Sequence, residues 1–191
     1  MNALEYGLSN CPDKILSPSF LEKLGDGFHG EAYLIPESNQ VIKYSLVNQE
    51  MIEVLLKDFF NDFQKVICYQ QNNNYPCFVK VLNFNSLVES DDSVFYSTTM
   101  EKLNLISVDE KRVLKTVVRA HRDLERTWAQ ILTLVRNQSY WLDFDLDKMV
   151  SFINLLEDSP IVHHDMSSSN IMKDENGNFK LIDLDFSKLK D

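Results

Sequence analysis

Four polar residues near the C-terminus have the types and the spacing that transfer of a phosphoryl group requires. Asp165 follows His163 by two residues, Asn170 follows Asp165 by five, and Asp183 follows Asp165 by eighteen. This chemistry needs a group that accepts or orients the proton of the attacking hydroxyl, and oxygen ligands that hold magnesium ions. Asp165 is the candidate for the proton, while Asn170 and Asp183 are the candidate ligands of magnesium.

The elements around these residues would hold them in place. An apolar repeat typical of a helix covers residues 145–157, and Pro160 ends it shortly before the loop. Asn176 and Gly177 predict the tight turn of a β-hairpin that leads to Asp183. We expect His163 to pack beneath the loop and to steady it through hydrogen bonds. The alternative is a polar loop and a hairpin without a catalytic role.

A Gly-x-Gly-x-x-Gly motif lies near the N-terminus, at Gly25, Gly27 and Gly30. Apolar runs on both sides of it, and a third run at 41–44, predict an antiparallel meander of strands. The motif alone is a weak signal because dinucleotide-binding folds share it, although a helix rather than a strand should follow it there. The backbone N–H groups of such a hairpin can cover the phosphates of ATP. A glycine turn without a ligand is the alternative.

A lysine in the third predicted strand is the candidate cation for a nucleotide. Lys43 is flanked by apolar residues, and an unpaired buried lysine is costly, so it either reaches solvent or faces a phosphate and a carboxylate. The next segment, 48–67, has the apolar repeat of an amphipathic helix. Glu53 lies at the border of the apolar face and Glu50 lies opposite it. Glu53 is therefore the preferred partner of Lys43, Glu50 is the second choice, and the alternative is that both are solvated.

The middle of the chain predicts two strands and a long helix. The strands cover 77–82 and 93–100, after a polar loop at 70–75 and with an acidic turn at 89–92 between them. A helix is predicted from 107 to 135, with Ser107 as its N-cap and Glu110 as the partner in a capping box.

Composition excludes several classes of function. The 191 residues have room for one domain, and 44% hydrophobic residues suffice for a core. A net charge of −10 argues against nucleic acid or an anionic membrane as the main partner. No apolar run approaches the length of a membrane span, and the N-terminus does not have the pattern of a signal peptide. Cys11, Cys68 and Cys77 have neither zinc-site nor disulfide spacing, so a cytoplasmic location is expected, in the organism's own cell or in a host.

Taken together, the glycine motif, Lys43, a helix glutamate, Asp165, Asn170 and Asp183 resemble the protein-kinase-like superfamily over about residues 20–188. The pattern is most similar to atypical bacterial kinases, which include short effector kinases injected into host cells and lipopolysaccharide sugar kinases. The resemblance implies a two-lobed α+β fold. An antiparallel N-lobe sheet with one helix would cover about 20–103, with a hinge near 101–103, and a reduced, mainly helical C-lobe would cover 104–191.

The resemblance also implies ATP and Mg²⁺ as cofactors and a role for each matching residue. Asp165 would orient the acceptor hydroxyl, Lys43 would clamp the phosphates, and Asn170 and Asp183 would bind Mg²⁺. Met100 would be the gatekeeper beside adenine, with the Glu101 carbonyl and the Leu103 amide facing the base. The residues that it assigns to the nucleotide are Gly25, Gly27, Gly30, Lys43, Glu53, Met100, Glu101 and Leu103.

Several positions depart from the kinase pattern. Ser167 replaces a lysine that helps to neutralise the γ-phosphate, and His164 replaces an arginine that would bind a phosphorylated activation loop. Leu184 and Asp185 replace the Phe-Gly of the usual metal loop. Only eight residues follow Asp183, so we expect neither an activation segment nor a C-terminal helical subdomain.

Three functions remain open on these grounds. The first is a minimal serine/threonine protein kinase, active alone or completed by an activating protein partner. The second is a kinase for a small molecule or sugar, whose acceptor pocket would come from 107–135 and the acidic stretch 143–147. The third is a catalytically weak pseudokinase that serves as a nucleotide-binding scaffold.

Overall fold

The fold is known from a computed structural model that describes residues 21–27, 30–48, 56–89, 93–122, 127–138 and 144–190. These residues form an α+β fold with a five-stranded antiparallel sheet and four α-helices. The chain divides into two compact units. The first unit is Met1–Asn73 with Lys80–Lys102, and the second is Asn74–Val79 with Leu103–Asp191.

An antiparallel sheet makes up most of the first unit. Its strand order is β1-β2-β3-β5-β4, so the first three strands follow one another as hairpins and confirm the predicted meander. The strands are β1 (Glu22–Gly27), β2 (Gly30–Leu34), β3 (Gln40–Asn48), β4 (Val81–Glu89) and β5 (Ser93–Glu101).

Aromatic side chains fill the two faces of this sheet. On one face the rings of Tyr44 and Phe95 stack with an interplanar angle of 1°. On the other face helix α1 (Leu56–Asn73) packs through Phe63, whose ring centroid lies 5.1 Å from that of Tyr96. Since successive side chains alternate across a strand, Tyr96 and Phe95 face opposite sides and give the sheet a core on each.

The limits of helix α1 differ from the prediction of 48–67. Strand β3 runs to Asn48, so the helix does not begin there, and residues 49–55, with Glu50 and Glu53, lie outside the described residues. The helix continues to Asn73 through residues predicted as a loop. The side chains of Asn72 and Asn73 donate to the backbone carbonyls of Cys68 and Tyr69, one turn earlier, at 2.8 and 2.9 Å.

The strand predicted at 77–82 is divided between the two units. Within the second unit Phe78 forms a parallel bridge with Leu181, and the Val79 N–H donates to the Leu181 carbonyl at 2.9 Å. Strand β4 starts only at Val81 and continues to Glu89. It is an edge strand with exposed asparagines, which weaken the apolar alternation that marks a strand in sequence.

The second unit combines helices with two small sheets, β6 paired with β9 and β7 paired with β8, both antiparallel. No helix among the residues described in either unit is long and apolar enough to cross a membrane. The elements of the second unit are α2 (Val108–Arg122), α3 (Trp128–Gln138), α4 (Leu146–Asp158), β6 (Ile161–His163), β7 (Ile171–Lys173), β8 (Phe179–Leu181) and β9 (Ser187–Leu189).

The single helix predicted over 107–135 is wrong, because two helices occupy this range. The predicted capping box at the start of α2 is present: the Ser107 N–H donates to Glu110 Oε2 at 2.8 Å, and the Glu110 N–H donates to Ser107 Oγ at 3.2 Å. A second capping box, between Thr127 and Gln130, starts α3. The apolar repeat continues through the boundary and hides it in the sequence.

The prediction of a helix over 145–157 is confirmed to within one residue. Asp145 is the N-cap of α4, and its carboxylate accepts a hydrogen bond from the Lys148 N–H at 3.0 Å. The buried face of α4 consists of Met149, Phe152 and Ile153. The helix ends at Asp158, three residues before β6 begins.

Candidate active site

The loop after β6 brings Asp165 and Asn170 into contact. Asn170 Nδ2 donates to the backbone carbonyl of Asp165 at 3.1 Å and approaches Asp165 Oδ2 at 3.4 Å. Both partners are acceptors, which assigns the nitrogen of the amide to the Asp165 side and leaves Oδ1 on its other side. Asp165 itself is exposed to solvent.

Serines give the loop its shape. Ser167 Oγ accepts a hydrogen bond from the Ser169 N–H at 3.3 Å and caps a short 3₁₀ helix, Ser168–Asn170. The Asn170 N–H donates to the Ser167 carbonyl at 3.0 Å. Met166 and Ser168 are buried and anchor the loop. Asn170 is therefore held by its backbone and by its side chain.

The hairpin β7–β8 links Asn170 to Asp183. Asn170 precedes β7 and Ile182 follows β8, and the Ile182 N–H donates to the Asn170 carbonyl at 2.7 Å. Gly177, at a φ of 78°, lies in the turn and confirms the predicted hairpin. Asp183 therefore directly follows Ile182, the residue whose backbone N–H bonds to Asn170.

Asp183 has an uncommon backbone conformation. Its φ of 61° and ψ of 65° lie in the left-handed region, which costs a residue with a side chain about 1 kcal/mol or more. Residues held in such conformations cluster at functional sites, where the surrounding structure fixes them. Asp183 is partly buried.

His163 hydrogen-bonds to the backbone at Asp183, and not to the loop that carries Asp165, which it is predicted to steady. His163 Nε2 lies 2.8 Å from the Asp183 carbonyl oxygen and 3.3 Å from that of Ile182. A carbonyl only accepts, so Nε2 carries the proton of the ring. Burial lowers the pKa of His163, and the hydrogen bonds to the two carbonyls do not offset this effect. The ring is therefore neutral at pH 7, and its Nδ1 atom is buried without a hydrogen-bond partner among the described residues.

The donor atoms at this loop suit magnesium. Oδ1 of Asn170 and the carboxylate of Asp183 are hard oxygen ligands of the kind that Mg²⁺ prefers. Within the described residues, no cluster of three or more His, Cys, Asp or Glu side chains could hold a metal ion by itself. A magnesium ion here would complete its shell with water and phosphate oxygens, as it usually does with nucleotides.

In the first unit, Lys43 lies on strand β3 and faces the side of the sheet that packs on α1. It pairs with Ala32 in β2 and with Thr98 in β5, and Thr98 lies two residues from Tyr96 on the same face. The side chain is partly buried. Its predicted partner Glu53 and the second choice Glu50 lie outside the described residues.

Among the glycines of the motif, packing explains Gly30 but not Gly25. Gly27 and Gly30 pair at the end of the β1–β2 hairpin where the chain passes from β1 to β2, and the connecting residues 28–29 lie outside the described residues. A Cβ at Gly30 would lie 2.0 Å from the Tyr44 carbonyl oxygen, so packing requires glycine there. A Cβ at Gly25 would have no described atom beyond its chain neighbours within 4 Å. Folding alone therefore does not explain Gly25.

The residues predicted to contact adenine fall into both units. Met100 lies in β5 opposite Val41 and Val81, and Glu101 ends the strand. The Glu101 carboxylate accepts from the Lys80 N–H at 2.7 Å. Leu103 is buried in the second unit. The structure thus brings His163, Asp165, Asn170 and Asp183 together in the second unit and places Lys43, the glycines, Met100 and Glu101 in the first.

Sequence reasoning missed two features of the second unit. One is Lys173, whose ammonium pairs with Glu110 at 2.9 Å across 63 residues. The other is a cleft of about 330 Å³ at the closed end of the β7–β8 hairpin. It is lined by α4 and by the hairpin, including Lys148, Phe152, Asp174, Phe179 and Lys180. No local sequence pattern predicts either feature, because each depends on the packing of segments that are far apart in the chain.

Comparison with known proteins yields no match, either to a family model or to a curated protein. The function is therefore argued from the chemistry of the site.

Proposed function

We propose that the protein is an ATP- and Mg²⁺-dependent phosphotransferase that transfers the γ-phosphoryl group to a hydroxyl of a protein serine or threonine. The observation that carries the proposal is the contact of Asn170 with Asp165 on one side and with Ile182, next to Asp183, on the other. The loop after β6 thereby offers a base and one metal ligand beside a second ligand that follows β8, and this reaction needs these groups near each other.

Each residue then has a defined task. Asp165 accepts or orients the proton of the attacking hydroxyl, which its exposure allows. Asn170 and Asp183 hold Mg²⁺, which when bound neutralises charge on the phosphates. His163, as a neutral ring, fixes the carbonyl of Asp183 and so orients that carboxylate. Because little covalent chemistry falls to the protein, positioning of this kind supplies most of the catalysis.

The first unit supports the proposal through the context of Lys43. A kinase lysine is expected on the third strand, and Lys43 is on β3, on the face that carries the helix. The freedom of Gly25 from packing contacts suits a backbone that a phosphate approaches closely.

The small-molecule alternative has weaker support in the second unit. In the acidic stretch proposed as an acceptor pocket, Asp145 is used as the cap of α4. The 330 Å³ cleft lies at the closed end of the hairpin, whereas Asn170 and Asp183 lie at the open end. Strands of three residues separate the two ends by about 10 Å. A molecule in that cleft would not meet Asp165.

The scaffold alternative does not account for Asp183. A binding module without chemistry has no need of a carboxylate on a strained backbone, held by a histidine beside an aspartate–asparagine pair. The acidic surface of a chain with a net charge of −10 favours a basic protein as the acceptor.

The test is incubation of the purified protein with γ-labelled ATP and Mg²⁺, alone, with a basic protein, and with cell lysate. The variant Asp165→Asn is run beside it, with Asp147→Asn as matched control, since Asp147 is an exposed aspartate in the first turn of α4. Label on protein that disappears only in Asp165→Asn supports the proposal. Equal labelling by wild type and Asp165→Asn would refute the role of Asp165. Binding of Mg·ATP without any labelling would favour a small-molecule acceptor, a missing activating partner or a scaffold.

A further inference from the structure

Glu110 and Lys173 form an ion pair that joins the start of helix α2 to the end of strand β7. Lys173 Nζ lies 2.9 Å from Glu110 Oε1, and Glu110 is only 5% exposed. The second carboxylate oxygen accepts the Ser107 N–H at 2.8 Å. A buried carboxylate is costly unless such partners satisfy it, so this one is fixed in a single arrangement.

The backbone of Lys173 is held by the same segment of chain. The Lys173 N–H donates to the Asn104 carbonyl at 2.8 Å, and the Asn104 N–H donates to the Lys173 carbonyl at 2.7 Å. The stretch from Asn104 to Glu110 thus binds Lys173 through both main chain and side chain. This anchor fixes the far end of β7.

Strand β7 begins immediately after Asn170. It has three residues and pairs only with β8 among the strands of its sheet, in the register Ile171 to Leu181 and Lys173 to Phe179. A two-stranded hairpin of this length has little stability of its own. The register of the hairpin nevertheless determines the position of Asn170 relative to Ile182, and therefore relative to Asp183, the next residue. An outside anchor on β7 is therefore important for the geometry of the two metal ligands.

We propose that Glu110 is a positioning residue, whose ion pair with Lys173 holds β7 so that Asn170 stays in register with Asp183. The inference rests on the proposed function, because it assigns Glu110 to the magnesium site of that reaction. The bonds of the Glu110 carboxylate go to Ser107 and Lys173, so in this proposal Glu110 acts on Asn170 through strand β7.

The charge state of Glu110 is consistent with this role. Burial raises the pKa of its carboxyl, but the hydrogen bonds from Ser107 and the ammonium of Lys173 outweigh burial and hold the pKa below its ordinary value. Glu110 is therefore ionised at neutral pH and pairs with a charged lysine.

The variant Glu110→Gln tests the ion pair, because glutamine keeps the size of the side chain and can still accept from the Ser107 N–H. The matched control is Ser107→Ala, which removes the hydroxyl of the capping box and leaves the pair with Lys173. Lys173→Met removes the other partner, and the double variant closes a mutant cycle.

Two measurements are made on each variant. The first is amide hydrogen exchange of β7 and β8, with the NMR signals of the Asn170 side-chain amide, in the protein without nucleotide. The second is the Mg²⁺ concentration that gives half-maximal binding of a fluorescent ATP analogue. We expect Glu110→Gln and Lys173→Met each to raise this concentration about fivefold, with the double variant no worse. Glu110→Gln and Lys173→Met should also shift the NMR signals of the Asn170 side-chain amide. Ser107→Ala should change neither the Mg²⁺ requirement nor these signals.

Two outcomes would overturn the inference. One is an unchanged Mg²⁺ requirement and unchanged Asn170 signals in Glu110→Gln or Lys173→Met. The other is an equal effect of Ser107→Ala, which would make Glu110 only a helix cap. If the wild-type protein binds no Mg·ATP, the proposed function fails, while a shift of the Asn170 signals and lost protection in β7 still support the anchor itself.

Discussion

The ring of His163 donates from Nε2 to the carbonyl oxygen of Asp183 at 2.8 Å, across twenty residues of chain. This bond ties the end of β6 to the residue with the left-handed backbone. The donor must be a protonated Nε2, and the opposite nitrogen is enclosed, so the arrangement requires one tautomer of a neutral ring.

The stability of the protein should fall in mild acid because of His163. Its pKa is lower in the folded than in the unfolded chain, so below about pH 6.5 the unfolded chain binds a proton that the folded chain does not. The free energy of unfolding therefore decreases as the pH falls from the unfolded pKa to the folded one, by at most about 1.4 kcal/mol per pH unit for one proton. Urea unfolding between pH 5 and 8, as an approximate working range around the histidine pKa, measures this slope.

His163→Gln should remove part of that slope. Burial also lowers the pKa of His121, so His121→Gln is the control that accounts for the second histidine. A pH slope that is identical in wild type and His163→Gln would contradict the assignment of the neutral, buried ring.

Gly30→Ala should lower the stability of the protein, whereas Gly25→Ala should weaken ATP binding. In Gly30→Ala the new Cβ meets the Tyr44 carbonyl, which is backbone of the adjacent strand, so we expect a loss of about 2 kcal/mol or more in the free energy of unfolding. In Gly25→Ala the space is open and stability should change by less than about 1 kcal/mol, but ATP binding should weaken. Urea unfolding and titration with a fluorescent nucleotide separate the two effects. Full ATP affinity in Gly25→Ala would argue against phosphates at this hairpin.

Asn170→Asp should make stability depend on magnesium. The substitution replaces the Nδ2 donor by an acceptor beside the oxygens of Asp165, which repel a second carboxylate. We expect a lower melting temperature without metal and a larger rise on adding Mg²⁺ than in wild type. Thermal unfolding over a series of Mg²⁺ concentrations measures this, with Ca²⁺ for comparison. A rise equal to that of wild type would place magnesium elsewhere.

Lys43→Met and Asp165→Asn should differ in what they impair. Lys43→Met should weaken both nucleotide binding and transfer, because Lys43 is proposed to clamp the phosphates. Asp165→Asn should spare binding and reduce transfer by about a hundredfold or more, since it removes only the group that is proposed to accept the proton. Equilibrium binding and single-turnover transfer are measured on the same preparations. Loss of binding in Asp165→Asn would show that its role is structural.

Capping and turn residues in the sequence predicted where individual helices and turns lie. The pattern Ser107-x-x-Glu110 marked the start of α2, and Asn176–Gly177 marked the β7–β8 turn. The similar pattern at Thr127 and Gln130 lies within a continuous apolar repeat, so the sequence does not separate the two helices there. The strand predicted at 77–82 overlaps β4 only at Val81 and Leu82, because polar residues at 83, 85 and 86 interrupt the apolar pattern that indicates a strand in the sequence.

The candidate site was predictable as a set of residues but not as a set of contacts. The spacing of Asp165, Asn170 and Asp183 predicts a site for phosphoryl transfer, and the structure adds the bonds that join Asn170 to its neighbours. The pair of Glu110 with Lys173 could not be predicted, since it depends on the packing of α2 against a strand far along the chain. Contacts of this kind follow from tertiary structure and leave no periodic pattern.

The bridge between Phe78 and Leu181 has a consequence for dividing the chain into fragments. Residues 74–79 are inserted in the sequence of the first unit, yet they belong to the second, where Cys77 and Phe78 are fully buried. A fragment that begins at residue 103 would lose this segment, and the backbone groups of Leu181 that pair with it would become an open strand edge. Open edges template aggregation. Neither half of the chain is therefore suited to separate expression by a single cut, whereas joining 74–79 through a short linker to residue 103 would restore the bonds to Leu181.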